Sequence, residues 1–171
     1  GIGLFVRELR TMRNSTPVES DQVRRVLREM HLKGAVVIVS REIDVPKVIG
    51  FRKAYICLPE LSVSDEELKE ILRHEYEHYR GGDFFIKLLY LVLSALLWWN
   101  PALHLFRKEL DCILELRCDA RVTKGMNERQ RIEYAEAILH VMRQTTKQQD
   151  LFKEKAGTLF RKTRGKFIRQ R

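Results

Sequence analysis

Residues 64–83 read SDEELKEILRHEYEHYRGGD, and this stretch decides the fold and the chemistry together. Ser64 followed three residues later by Glu67 is a capping box. The hydroxyl serves one free amide of the first turn and the glutamate reaches back to the cap. The spacing predicts a helix over 65–80 that stops at Gly81-Gly82. Within it lies His74-Glu75-Tyr76-Glu77-His78, an HExxH pattern. Side chains four apart share a helix face, so His74 and His78 can present their imidazoles to one metal ion. Glu75 sits one step round, where a carboxylate can hold a water and take its proton.

A catalytic zinc takes a third protein ligand and leaves one position open. A histidine six residues after His78 would define one class of site, but Phe84 stands there. Asp83 is expected to cap the next helix. The remaining candidates lie downstream on PALHLFRKELDCILELRCDARVT, residues 101–123: Glu109, Asp111, Glu115 and Asp119. Glu115 and Asp119 are four apart and face one way. One of them can bind metal while the other orients a ligand imidazole. The plainer reading of the two is a solvated face beside Arg117 and Arg121. Cys112 and Cys118 read as small buried residues rather than ligands. His31, His104 and His140 receive no role.

Working outward, Ser20 can cap a helix over about 21–32, with Val23, Val26, Leu27 and Met30 at helical spacing and Gly34 ending it. Ala35–Val39, Val48–Phe51 and Ala54–Leu58 read as short strands, the only β-rich part. After the HExxH helix come an apolar helix over 84–99, a third opened by Asn100-Pro101 and reaching about Thr123, and a fourth over about 128–144. The run FFIKLLYLVLSALLWW at 84–99 is short of the about 20 residues a span requires, which favours a buried or membrane-apposed helix over a crossing one. The fold class expected is α+β, mostly helical, with a small sheet beside the HExxH helix.

The chain has 171 residues, 44% hydrophobic and 32% charged, which excludes a disordered or low-complexity protein. The net charge is +9, but residues 152–171 carry eight lysines and arginines against Glu154 alone, so the rest sums to only +2. A basic nucleic-acid-binding body is disfavoured, and no direct nucleic-acid partner is expected. Three cysteines without CxxC spacing argue against a disulfide framework and for a reducing compartment. The first residue is Gly1 rather than Met, so the chain is expected to be a piece of something longer.

The run HEYEHYRGGD, the apolar segment ending WWNP, then KELDCILELRCD, preceded by PKVIGFRKAYICLP, together resemble the bacterial BlaR/MecR-type antirepressor metallopeptidases. These are membrane-bound sensor-transducers with a cytosolic, gluzincin-type zinc peptidase domain. The resemblance covers about Val45 to Val122. Ala54 stands where that family often has proline. The resemblance implies one zinc per chain held by His74, His78 and Glu115, with Glu75 as catalytic base and Asp119 supporting the ligands from behind. It implies a protein or peptide substrate, either a transcriptional repressor or the protein itself. It implies a division into 1–13 (the end of a membrane segment and its basic flank), 14–144 (the peptidase domain) and 145–171 (a basic juxtamembrane tail). The domain then lies on the cytoplasmic side of the cell membrane, with membrane flanking both ends of the fragment. The family's penicillin-binding sensor domain is absent from these residues. The rivals are a catalytically silent zinc-binding relative and a membrane-apposed interaction module.

Overall fold

The computed structural model describes residues 20–32, 34–40 and 43–147. The membrane-segment end and basic flank expected at 1–13, and all of the tail expected at 145–171 except residues 145–147, lie outside the described residues. The elements run α1 (Asp21–Met30), β1 (Ala35–Val39), β2 (Lys47–Ile49), β3 (Ala54–Leu58), α2 (Asp65–Arg80), α3 (Asp83–Leu96), α4 (Pro101–Val122) and α5 (128–147). This is a mostly helical α+β domain with one three-stranded sheet, as the sequence leads one to expect.

The sheet has the order β1-β3-β2. Central β3 pairs parallel with β1, from Ala35 opposite Ala54 to Val39 opposite Leu58. It pairs antiparallel with β2, from Lys47 opposite Cys57 to Ile49 opposite Tyr55. Alternation along β3 sends Ile56 and Leu58 to the helix-covered face and Cys57 to a smaller cluster with Ile38 and Ile43. The main core joins Val26 of α1, Val37, Ile56 and Leu58 of the sheet, Leu68, Ile71 and Leu72 of α2, and Val141 of α5. Each fully buried aliphatic side chain here contributes about 1.5–3 kcal/mol. That core seats the HExxH helix on the sheet with its other face free for the site. Gly50 (φ 147) opens the β2–β3 turn, where a Cβ would run into the Lys53 carbonyl.

Several local expectations change. α1 ends at His31, itself left-handed (φ 49), three residues before Gly34. β2 is Lys47–Ile49 rather than Val48–Phe51. α3 stops at Leu96, with Trp98 and Trp99 in the turn before Asn100. Nor is α3 buried: Leu89, Leu96 and Trp98 are 59%, 63% and 72% exposed. Among the described residues, no helix is long and apolar enough to cross a membrane. α5 runs to residue 147 and starts on a reciprocal cap, in which Gln130 N–H donates to Asn127 Oδ1 and Asn127 N–H to Gln130 Oε1.

Candidate metal centre

The capping box on α2 is fully formed: Glu67 N–H donates to Ser64 Oγ at 3.1 Å and Ser64 N–H to Glu67 Oε2 at 2.8 Å. The helix it starts carries His74 and His78 on one face with their Nε2 atoms 3.0 Å apart. α4 packs against this face and brings Glu115 Oε2 to 3.5 Å from each of those two nitrogens. Of the downstream acidic candidates, Glu115 is the one placed here. Asp111 pairs with Lys87 at 3.7 Å, and Glu109 is exposed.

The far nitrogen of each ring is held separately. His78 Nδ1 faces Asp83 Oδ2 at 2.6 Å, and Arg117 of α4 donates to the other oxygen of Asp83 and, at 3.3 Å, to the Gly81 carbonyl. His74 Nδ1 meets the Tyr134 hydroxyl at 2.7 Å, and that hydroxyl donates to Asp119 Oδ1 at 2.6 Å. The hydroxyl proton being committed to Asp119, Nδ1–H of His74 is the donor to the tyrosine oxygen. With Nδ1 of each ring so engaged, both Nε2 atoms are left to face each other and the Glu115 carboxylate. Two imidazole nitrogens and a carboxylate oxygen converge here, a set that a shared proton or a cation in their midst would satisfy. The field shows the same demand. Burial works to lower both imidazole pKa values, yet hydrogen bonds to Cys118 and Glu115, and to Asp83 for His78, push both well above the ordinary range. Hydrogen bonds from His74 and His78 hold the Glu115 carboxyl well below the usual carboxylate range.

A divalent ion with bonds of 2.0–2.1 Å in tetrahedral geometry sets its donors roughly 3.3 Å apart. The observed separations of 3.0, 3.5 and 3.5 Å bracket that spacing, so these residues could hold such an ion. His74, His78 and Cys118 also offer ligand atoms within 4.8 Å of one another. The buried Cys118 thiol, however, donates to the His74 carbonyl at 3.3 Å and lies 3.7 Å from His74 Nδ1, the nitrogen that Tyr134 engages. Glu75 is 7% exposed between the two histidines. Burial raises its pKa, against the pull of His74 and His78. The site opens into a cleft of about 940 Å³, walled by β2 and its flanks on one side and by α3 and α4 on the other.

Several roles differ from the sequence reading. Asp83 is not a helix cap: Gly82 (φ 71) occupies the cap position, no side chain caps α3, and the buried Asp83 carboxylate is spent on His78 and Arg117. Asp119 lies 3.5 Å from His74 Nδ1 and is joined to it by the hydroxyl of Tyr134, a residue that nothing local in the sequence marks. Arg117 supports the site instead of lining a solvated face. Cys118 is buried as expected, but Cys112 is exposed. His140 has partners: it bonds Glu67 at 2.6 Å and Gln144 at 2.9 Å, tying α5 to the cap of α2.

Two imidazoles from one helix that meet a carboxylate from a second, beside an open cleft, are a donor set that suits a divalent ion. Comparison with known proteins agrees. The model of a family described as BlaR1 peptidase M56 matches residues 3–163, and the chain belongs to that family. The chain is 34% identical over 114 residues to the "Methicillin resistance mecR1 protein" of Staphylococcus aureus, which is 65% of this chain and 20% of that protein. It is 34% identical over 107 residues to the "Regulatory protein BlaR1" of Bacillus licheniformis, 60% of this chain and 18% of that protein. It spans about a fifth of the length of these relatives.

Proposed function

We propose that this domain is a zinc-dependent endopeptidase in which His74, His78 and Glu115 hold one zinc ion, Glu75 is the general base and Asp119 acts through Tyr134 to orient His74. The observation that carries the reading is the convergence of His74 Nε2, His78 Nε2 and Glu115 Oε2 at 3.0, 3.5 and 3.5 Å, with the far nitrogen of each ring held by another side chain. Bound zinc supplies Lewis acidity toward a carbonyl and toward water near neutral pH. Glu75, buried and raised in pKa, takes the proton of the attacking water and returns it to the leaving amine. Asp83 and the Tyr134–Asp119 pair hold the two rings so that both Nε2 atoms face the cleft. Glu115, with its side chain 53% exposed, stands at the solvent side, where a substrate enters. Edge strand β2 lines the cleft beside the histidines, so an extended polypeptide can pair along it and present one peptide bond to Glu75.

The family membership supports a protein substrate, and the likeness to the mecR1 and BlaR1 proteins supports a regulatory one: a transcriptional repressor, the protein's own chain, or both. We place the domain on the cytoplasmic side of a bacterial membrane within a sensor-transducer.

Zinc analysis and proteolysis on Glu75→Ala and His74→Ala variants test this. One zinc per chain is expected in the wild type and in Glu75→Ala, with cleavage lost in the latter, and no zinc in His74→Ala. Undiminished cleavage by Glu75→Ala overturns the mechanism. Zinc at full occupancy with no cleavage of any repressor or self substrate by the wild type leaves the silent zinc-binding module instead.

A further inference from the structure

Residues 88–106, LLYLVLSALLWWNPALHLF, contain neither Lys, Arg, Asp nor Glu. Laid out as one straight helix they would be about 28 Å long, close to the hydrocarbon thickness of a bilayer. The fold bends them in half. Asn100 accepts from Ala102 N–H and starts α4 at Pro101, and the two helices run antiparallel: Tyr90 Oη donates to the Leu103 carbonyl at 2.7 Å, and Lys87 faces Asp111 at 3.7 Å. The result is a hairpin whose uncharged end reaches only about 13 Å along α3, from Leu88 to Leu96. Its apolar side chains face outward: Leu89 59%, Val92 47%, Leu96 63%, Trp98 72%, Trp99 63% and Leu105 76% exposed. Trp98 and Trp99 form the turn itself.

Along the chain, the charges nearest this tip are basic, and the first carboxylates, Glu109 and Asp111, lie further down α4. Between Asp83 and Glu109 the chain has three cations, Lys87, Arg107 and Lys108, and no carboxylate. Arg107 and Lys108 are exposed and sit about 10 Å back along α4 from Pro101. A lipid leaflet fits both features: apolar side chains and tryptophans enter the acyl boundary to about 5–10 Å, and basic residues one step back meet anionic headgroups.

We propose that the α3–α4 hairpin is a monotopic membrane wedge, which enters one leaflet of an anionic bilayer with Trp98 and Trp99 leading and does not cross it. Lys87, Leu88 and Arg107 line both the hairpin and the cleft, so the wedge sets the cleft beside the membrane surface. Polypeptide held close to that surface is then its readiest substrate. The wedge itself requires neither zinc nor proteolysis.

The chain has only two tryptophans, both at the tip, so intrinsic fluorescence reads this site alone. The experiment uses the full 171-residue chain at physiological salt with vesicles of 3:1 phosphatidylcholine to phosphatidylglycerol. Expected are a blue shift of tryptophan emission and stronger quenching by lipids brominated near the headgroup than by those brominated deep in the chain. Leu96→Asp with Leu105→Asp, both at exposed positions, should weaken partitioning at least ten-fold while circular dichroism is unchanged. Arg107→Glu with Lys108→Glu should remove the preference for anionic over pure phosphatidylcholine vesicles. Unchanged tryptophan emission while the chain co-sediments with vesicles overturns the proposal and assigns binding to another segment, such as the basic tail. Quenching strongest from the deep bromines overturns it in favour of a crossing hairpin. A concentration-dependent blue shift without lipid, with no further response to vesicles, overturns it in favour of a dimer.

Discussion

Asp83→Asn tests the support behind His78. The carboxylate is 4% exposed and spends one oxygen on His78 Nδ1 at 2.6 Å and the other on Arg117. The asparagine keeps the shape but has one acceptor, and its amide faces a donor on whichever side it turns. His78 then loses the anion that fixes its proton on Nδ1 and raises the basicity of Nε2. Loss of such a partner costs 10–100-fold in metal affinity, about 1.4–2.7 kcal/mol. Arg117 also loses its counter-charge. Breaking a buried pair costs roughly 3–5 kcal/mol, but the Arg117 side chain is 33% exposed. Water takes over part of its solvation, and a stability loss of about 1–2 kcal/mol is expected. Chelator competition at fixed pH gives the zinc affinity, and urea unfolding of the metal-free chain gives the stability. An Asp83→Asn chain that stays folded and binds zinc as tightly as the wild type refutes the reasoning, because His78 would then need no anionic partner.

Two further outcomes follow from the geometry. Glu115→Gln should lower zinc affinity at least 100-fold while Cys118→Ser changes it little, and the cobalt-substituted protein should lack a thiolate charge-transfer band; such a band would make Cys118 the third ligand. Ser64→Ala should cost about 1 kcal/mol of stability, since it unmakes one side of the capping box. Its partner Glu67 is held below the usual carboxylate range first by the Ser64 backbone N–H, then by His140, against burial. A depressed carboxylate stabilises the fold above its unfolded value of about 4.5 and loses that contribution as the pH falls through the folded value. Glu67→Gln should therefore flatten the loss of stability below about pH 4.5, and equal acid sensitivity of variant and wild type in circular dichroism melts would contradict this.

What was legible in the sequence is what local rules write. The capping box, the Asn100-Pro101 break and the short apolar runs at 35–39 and 54–58, the second closed by Pro59, set each of those elements to within a residue, because caps, breakers and short apolar runs act over a few positions. The relation of His74 to His78 was legible for the same reason. The partners of those histidines were harder, because each arises from how helices pack. Asp83 carries the ordinary signature of a helix cap, and nothing local shows that a left-handed Gly82 would take the cap position and turn the carboxylate inward onto His78. Tyr134 lies 60 positions from His74 and looks like any apolar position of α5 until the helix is docked. The apolar run at 84–99 shows the limit from the other side. Its hydropathy announced a helix seeking an apolar environment, and hydropathy alone does not say whether that environment belongs to the protein. The core around Ile56, Leu68 and Leu72 is closed by α1, α2, the sheet and Val141 of α5 and has no place for it. The segment is left as an exposed hairpin, and that exposure, invisible in the letters, distinguishes a surface that meets lipid from a helix buried in a core.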